Sequence, residues 1–293
     1  MQVSARIEQA LDAALASGES PGHPPKLATA MRHAVFPGGA RIRPQLCLAV
    51  AKACGDDDED LSTAAAAAIE LLHCASLVHD DLPCFDDAAL RRGKASVHCA
   101  YGERLAVLSG DALIVLAFQT LVRGAGRSPQ RLAPLLNTLT AGIGMPFGIA
   151  AGQAWECEPQ AVLRDYHRAK TGALFAATTI AGAQAAGRDS RPWQALGEWL
   201  GEAYQVADDI RDAAATQQAL GKPVGRDLAL GRPSITRERG LREALLHFDR
   251  LVGKAKQAVP SCPGESALRH LVQLESERLV PKTMAEELVA SAA

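Results

Sequence analysis

The stretch LSTAAAAAIELLHCASLVHDDLPCFDDAALRRGK, residues 61–94, joins an apolar, helix-forming run to four aspartates and then to Arg91, Arg92 and Lys94. Its five consecutive alanines, 64–68, stand at the extreme of helix propensity, so residues 61–82 are predicted to form one long buried helix. Asp60 is positioned to cap its start, and Pro83 marks its end, because the proline ring disfavours helical geometry in the residue before it. A buried helix that ends in so much negative charge, with cations close behind, needs a reason for that charge.

A second segment repeats the arrangement. Residues 193–214 carry GEWLGEAYQVADDIRDA and are also predicted to be helical, with aspartates near the C-terminal end. At 100° per residue, Asp208 and Asp212 lie about 40° apart on one face, with Asp209 on the flank. Carboxylates this close repel and raise one another's pKa unless a cation joins them. Oxygen donors without histidine or thiolate suit Mg²⁺, which takes one or two carboxylates plus phosphate oxygens. In the first cluster Asp80 and Asp81 are followed by Asp86, which on an unbroken helix would point about 120° away from Asp80. The break at Pro83 lets Asp86 return, and Asp87 reads as a flanking carboxylate.

Basic residues follow both clusters: Arg91, Arg92 and Lys94 after the first, and Lys222, Arg226 and Arg232 after the second. The planar guanidinium fork matches phosphate oxygens, and Mg²⁺ between carboxylates and phosphates completes the charge balance. The two clusters therefore read as a diphosphate site. The acidic run DDDED at 56–60 also fits a DDxxD pattern, but it follows a glycine turn and precedes no arginine pair, so it is expected to be solvated loop.

The rest of the chain limits the alternatives. Its 293 residues are 48% hydrophobic and 22% charged, the balance of a soluble globular protein. A formal net charge of −2 gives no global field for nucleic-acid binding. Val3, Ile7, Leu11 and Leu15 make the N-terminus an amphipathic helix without the apolar core of a signal peptide. The uncharged run 132–155 is interrupted by Pro134, Asn137, Pro146, Gln153 and four glycines, and reads as a buried helix–turn–helix rather than a membrane span. Seven cysteines without a CxxC pair are expected to be small buried residues in a reducing cytoplasm, and Cys99 and Cys157 have no evident partner base. Helical periodicity persists almost throughout, with no convincing strand and no repeat, so residues 1–293 are expected to be a single all-α domain.

With these motifs in order, the sequence resembles the trans-isoprenyl diphosphate synthase family over residues 36–234. HDDLPCFDD with RRGK is similar to the first aspartate-rich motif of that family, and QVADDIRD with LGKPVGRDLALGR to the second. FPGGARIRP, the His73 helix, GQAWE at 152–156 and AKTGALF at 169–175 fall in the expected order. FPGGARIRP, LLHCASLVHDDLP, AGQAWE and SCPGE resemble, more narrowly, bacterial geranylgeranyl diphosphate synthases of carotenoid and bacteriochlorophyll biosynthesis.

The resemblance implies a helical bundle of isoprenoid synthase type around a central cavity, condensing isopentenyl diphosphate with dimethylallyl, geranyl or farnesyl diphosphate. It implies that Asp80, Asp81, Asp86, Asp208, Asp209 and Asp212 hold Mg²⁺, three ions per site with substrate bound. Arg91, Lys170 and Lys222 would bind the allylic diphosphate, Arg43, His73 and Arg92 isopentenyl diphosphate, and Thr171 and Gln205 would face the reacting carbon. A cytoplasmic homodimer is also implied. Ala40 stands where most of the family has lysine, with Arg41 or Arg43 expected to compensate, and Arg232 stands where lysine is usual. The growing tail is expected to run down the long helix, where Ala75 and Ser76 are small and Leu71 and Leu72, about 6 Å deeper, provide a later stop. Geranylgeranyl diphosphate is the predicted product. A farnesyl product and a non-catalytic partner subunit remain as alternatives. A terpene cyclase is disfavoured by the second DDxxD, and a phosphohydrolase built on His79 and Asp80 by the lack of a partner ligand motif.

Overall fold

In the computed structural model, which describes residues 2–36, 38–159, 162–214 and 234–281, helices follow one another along the chain. They are α1 Val3–Ser17, α2 Pro25–Val35, α3 Ile42–Ala53, α4 Glu59–Asp80, α5 Val97–Tyr101, α6 Glu103–Gly124, α7 Leu132–Ile143 and α8 Ile149–Ala154. Then come α9 Leu163–His167, a π-helical segment Arg168–Gly172, α10 Ala173–Ala185, α11 Gln194–Ala214, α12 Ile235–Arg239, α13 Leu241–Gln257 and α14 Glu265–Leu279. Lys222, Arg226 and Arg232 lie outside the described residues.

Helix α4 forms where the alanine run predicts, but it is capped differently. The side chain of Asp58, not Asp60, accepts from the Leu61 N–H (3.3 Å) and also from Ser128 Oγ (2.7 Å). Asp56 accepts from Ser62 Oγ (2.6 Å), and Asp57 takes both Arg131 nitrogens (2.6 and 2.9 Å). The acidic run at 56–60 is therefore not simply solvated: its first residues satisfy the orphan donors of a helix end and clasp the segment after α6. Glu59 and Asp60 fall in the first turn, where the helix dipole favours negative charge.

Two apolar cores meet at α3 and α10. One face of this pair packs with α1, α4, α6 and α7 through Cys47, Leu48, Leu174 and Ala181, and the other packs with α11, α13 and α14 through Leu46, Val50, Phe175 and Ala183. Small residues bring α6 close to α4: a β-carbon at Gly110 would strike His79, and one at Gly124 would strike Ala64.

Two short strands not expected from the pattern, β1 Leu90–Arg91 and β2 Lys94–Ala95, pair antiparallel across Arg92 and Gly93. Both turn residues have positive φ, 54° and 76°, as a tight hairpin with primed geometry requires. Arginine in the first of those positions carries no turn signal, which is why the pattern does not betray the hairpin.

The uncharged run does form a helix–turn–helix, α7 and α8, but it is not buried throughout as expected, since Met145 and Phe147 in the turn are exposed. Among the described residues, the helices long and apolar enough to cross a membrane are instead α4, which is mostly buried, and α6. All seven cysteines are free, but only Cys47 and Cys74 are buried, while Cys84, Cys99 and Cys157 are exposed. Contrary to expectation, Cys99 has a neighbouring base, since its Sγ lies 3.3 Å from His98 Nε2.

Candidate active site

The C-terminal ends of α4 and α11 open into a cavity of about 410 Å³. Asp80, Asp86 and Asp208 line it, together with Arg43, His73, Ser76, Arg91, Arg92, Lys170, Thr171 and Gln205. The loop after α4 produces this convergence: the Asp86 N–H donates to the Asp80 carbonyl (2.9 Å) and the Asp87 N–H to Leu82 (3.0 Å), folding the chain back on itself past Pro83.

The six aspartates do not share one environment. Asp81 faces away from the cavity and is held by Arg91, whose Nε donates to it at 2.9 Å. Asp209 is buried, accepting from Gln205 Nε2 (3.1 Å) and from the Ile235 N–H (2.8 Å). Asp212 is not among the lining residues either. Of the six aspartates expected at one metal site, Asp80, Asp86 and Asp208 line the cavity, Asp208 accepting from Arg211, while the carboxylates of Asp81 and Asp209 are engaged away from its wall. Burial pushes the Asp80 carboxyl up to about 6, opposed by Lys170 and reinforced by Asp86. A buried carboxylate raised in this way gains from a cation. Among the described residues, no three His, Cys, Asp or Glu side chains could hold a metal ion by themselves. The donor set fits Mg²⁺ that completes its coordination with water and phosphate oxygens.

Cations face these acids. Of the described lining residues, Arg41, Arg43, Arg91, Arg92, Lys170 and Arg211 are six cations against four carboxylates, Glu70, Asp80, Asp86 and Asp208. Arg43 is buried with its Cζ 4.4 Å from the Phe175 ring and 5.5 Å from Tyr204. Its Nη1 lies 3.3 Å from His73 Nε2, and burial together with Arg43 and Arg92 pushes His73 well below its usual pKa, leaving the ring neutral. Arg43 Nε and Arg92 Nη1 are buried without a hydrogen-bond partner. Both side chains line the cavity, where guanidinium groups suit an anion.

Arg41 behaves differently from expectation. It lines the cavity, but its Nη1 donates to Glu70 (2.7 Å), its Nε to Glu8 (2.8 Å) and its Nη2 to the Val35 carbonyl (2.8 Å). Most of its donors are thus held by protein carboxylates and a carbonyl, which leaves Arg43 as the less encumbered of the two cations expected to compensate for Ala40.

On the opposite wall the π-helical segment presents Lys170 and Thr171. Lys170 pairs with Glu156 and lies 4.0 Å from Asp80. Glu156 also accepts from the Tyr166 hydroxyl (2.7 Å). Thr171 Oγ1 donates to Gln205 Oε1 (2.8 Å), which extends a chain of hydrogen bonds to Asp209. Sequence reasoning assigned no role to Glu70, Glu156, Tyr166, Tyr204 or Arg211. Glu156 within GQAWE and Arg211 within QVADDIRD fell inside quoted motifs, but without a role of their own. Ser76 lines the cavity, whereas Ala75 is fully buried in the core with Leu71 and Leu72, so the two do not form one floor.

The sequence profile of the family described as Polyprenyl synthetase matches residues 24–260. The chain is 54% identical over 285 residues to a geranylgeranyl diphosphate synthase of Cereibacter sphaeroides, covering 97% of this chain and 99% of that one. It is 49% identical over 283 residues to a geranylgeranyl diphosphate synthase of Rhodobacter capsulatus, covering 96% and 97%. Among solved structures, a geranyltransferase from Helicobacter pylori complexed with magnesium and isoprenyl diphosphate superposes with a TM-score of 0.80 at 30% identity, covering 94% of this chain and 96% of that one.

Proposed function

Since the chain belongs to the polyprenyl synthetase family, we propose that its cavity joins isopentenyl diphosphate to an allylic diphosphate and that the reaction stops at the twenty-carbon product. The chain is a prenyl-transferring enzyme of the geranylgeranyl diphosphate synthase type. The observation that carries the site assignment is one cavity lined by Asp80, Asp86 and Asp208 together with the cations Arg43, Arg91, Arg92 and Lys170. Divalent metal use is supported by the magnesium-bound neighbour, and we assign the ions, three per site, to Asp80, Asp86 and Asp208 with Asp212 alongside.

Bound Mg²⁺ would draw charge from the allylic diphosphate as its C–O bond ionises. Arg91 and Lys170 bind that diphosphate, and Lys222, outside the described residues, is assigned with them. Arg43 and Arg92 hold isopentenyl diphosphate, with the neutral His73 ring beside them. Thr171 and Gln205, fixed on each other, border the reacting carbon. The alkene attacks the allylic cation, and the proton lost from the adduct passes to the released diphosphate. The reaction requires that water, which would trap the cation as an alcohol, be kept from the reacting carbon. Arg232 and Asp209 are read as supporting residues.

Exposed Val107, Leu108, Val115 and Val122 on α6 support a homodimer, and we read residues 1–293 as one cytoplasmic domain.

Product analysis of the purified chain with Mg²⁺, labelled isopentenyl diphosphate and each allylic starter tests this reading. A twenty-carbon diphosphate is expected. A fifteen-carbon product keeps the chemistry and rejects the assigned length, and the absence of metal-dependent elongation in a folded sample overturns the assignment in favour of a non-catalytic partner subunit.

A further inference from the structure

Arg41 and Arg92 are remote in sequence, yet each has a left-handed backbone, with φ of 51° and 54°, at a residue that carries a β-carbon. Such conformations persist only where the surroundings fix them. Both guanidiniums converge on one carboxylate. Glu70, with 1% of its side chain exposed, takes Arg41 at 2.7 Å and lies 4.0 Å from Arg92 Nη2. Gly39 packs on the other side of Arg92, where a β-carbon would come within 2.8 Å of the guanidinium. Arg92 is thus held between a carboxylate and a glycine, and its side chain lines the cavity.

A bare carboxylate at this point would repel an anionic substrate. Arg41 cancels that charge and is itself anchored from outside by Glu8 of α1. Glu8, Arg41, Glu70 and Arg92 therefore form an alternating chain of charge from the protein's edge to the cavity.

We propose that Glu70 is a positioning residue that aims Arg92 at the diphosphate of isopentenyl diphosphate, with Arg41 as its neutralising partner and Glu8 as the outer anchor. This rests on reading the cavity as a prenyl diphosphate site. Glu70 lies beside the cations assigned to isopentenyl diphosphate, whereas Lys170, on the allylic side, is paired with Glu156 instead. Its loss therefore acts on one substrate and not on both.

Steady-state kinetics of Glu70→Gln, with each substrate varied in turn, test the proposal. The KM for isopentenyl diphosphate is expected to rise about tenfold as the buried 4.0 Å Glu70–Arg92 ion pair is lost, with the allylic KM within about twofold and kcat within about threefold. Arg41→Gln should raise the same KM, and the double variant should be no worse than Glu70→Gln alone, because the two act as a unit. An equal loss for both substrates accompanied by a lower Tm, or additive effects in the double variant, would indicate a merely structural role and overturn the proposal. If Glu70→Gln does not fold, the half-exposed Glu8→Gln decides: a rise of about threefold supports the proposal and an unchanged KM overturns it. A wild-type chain that elongates while these KM values stay unchanged sinks this inference alone, whereas a wild-type chain that does not elongate sinks the functional reading and this inference together.

Discussion

Gly152 lies directly against the backbone of Lys170, with no room for a β-carbon between them. The π-helical segment can then bring both Lys170 and Thr171 to the cavity wall while Glu156, one turn after Gly152, reaches the Lys170 ammonium. Gly152→Ala is expected to push this segment outward. A displacement on the order of 1 Å at a substrate-positioning group lowers kcat by about a hundredfold, and single-turnover kinetics of the variant would show it. A variant that turns over at the wild-type rate would mean that the segment adjusts freely.

Ser76 and Ala75 should part company when enlarged. Ser76→Phe fills space in the cavity and is expected to shift the product towards fifteen carbons. Ala75 is fully buried in the core, so Ala75→Tyr should shorten the product only while losing about 1–3 kcal/mol to overpacking, visible as a lower denaturant midpoint. Unchanged product lengths in both variants would move the stop elsewhere.

The aspartate clusters at 80 and 208 stood out from the DDDED run at 56–60 because a long apolar helix leads into each and basic residues follow. The position of each one was less legible. Asp81 and Asp209 look like Asp80 and Asp208 in sequence, and only packing shows that Arg91 claims one while Gln205 and the Ile235 N–H claim the other. Arg41 read as a substrate cation because nothing local reveals Glu8 and Glu70, which come from two other helices. The all-α fold followed from periodicity, but the hairpin that sets Arg92 depends on a backbone conformation that arginine rarely advertises.

Thiol reactivity should divide the cysteines. Burial pushes Cys47 and Cys74 up to about 12, while Cys84, Cys99 and Cys157 are exposed. A chromogenic disulfide at pH 8 is expected to label the three exposed thiols quickly and to reach Cys47 and Cys74 only after denaturant is added. Mass spectrometry of the labelled chain would identify them, and fast labelling of Cys47 would contradict the packing of α3.

The Asp57–Arg131 pair gives stability a definite acid dependence. The hydrogen bond from Arg131 lowers Asp57 from 3.8 to about 2. A depressed carboxyl stabilises the fold above its unfolded value, and that contribution is lost as the pH falls through the folded one. The small Tm deficit of Asp57→Asn should therefore be present in full at pH 7 and close between about pH 4 and pH 2. A deficit that stays constant across that range would assign the effect to shape rather than charge.

Asp58 and Ser128 are 70 residues apart in sequence, and Asp57 and Arg131 are 74 apart. Closing loops of that length has an entropic cost that a few polar contacts do not offset on their own, so the clasp can form only after α4 and α6 have paired. It is therefore expected to form after the rate-limiting barrier of folding. Weakening it with Asp58→Ala should raise the unfolding arm of a chevron plot and leave the folding arm unchanged, making the acidic run at 56–58 a determinant of how long the enzyme lasts rather than how quickly it is made.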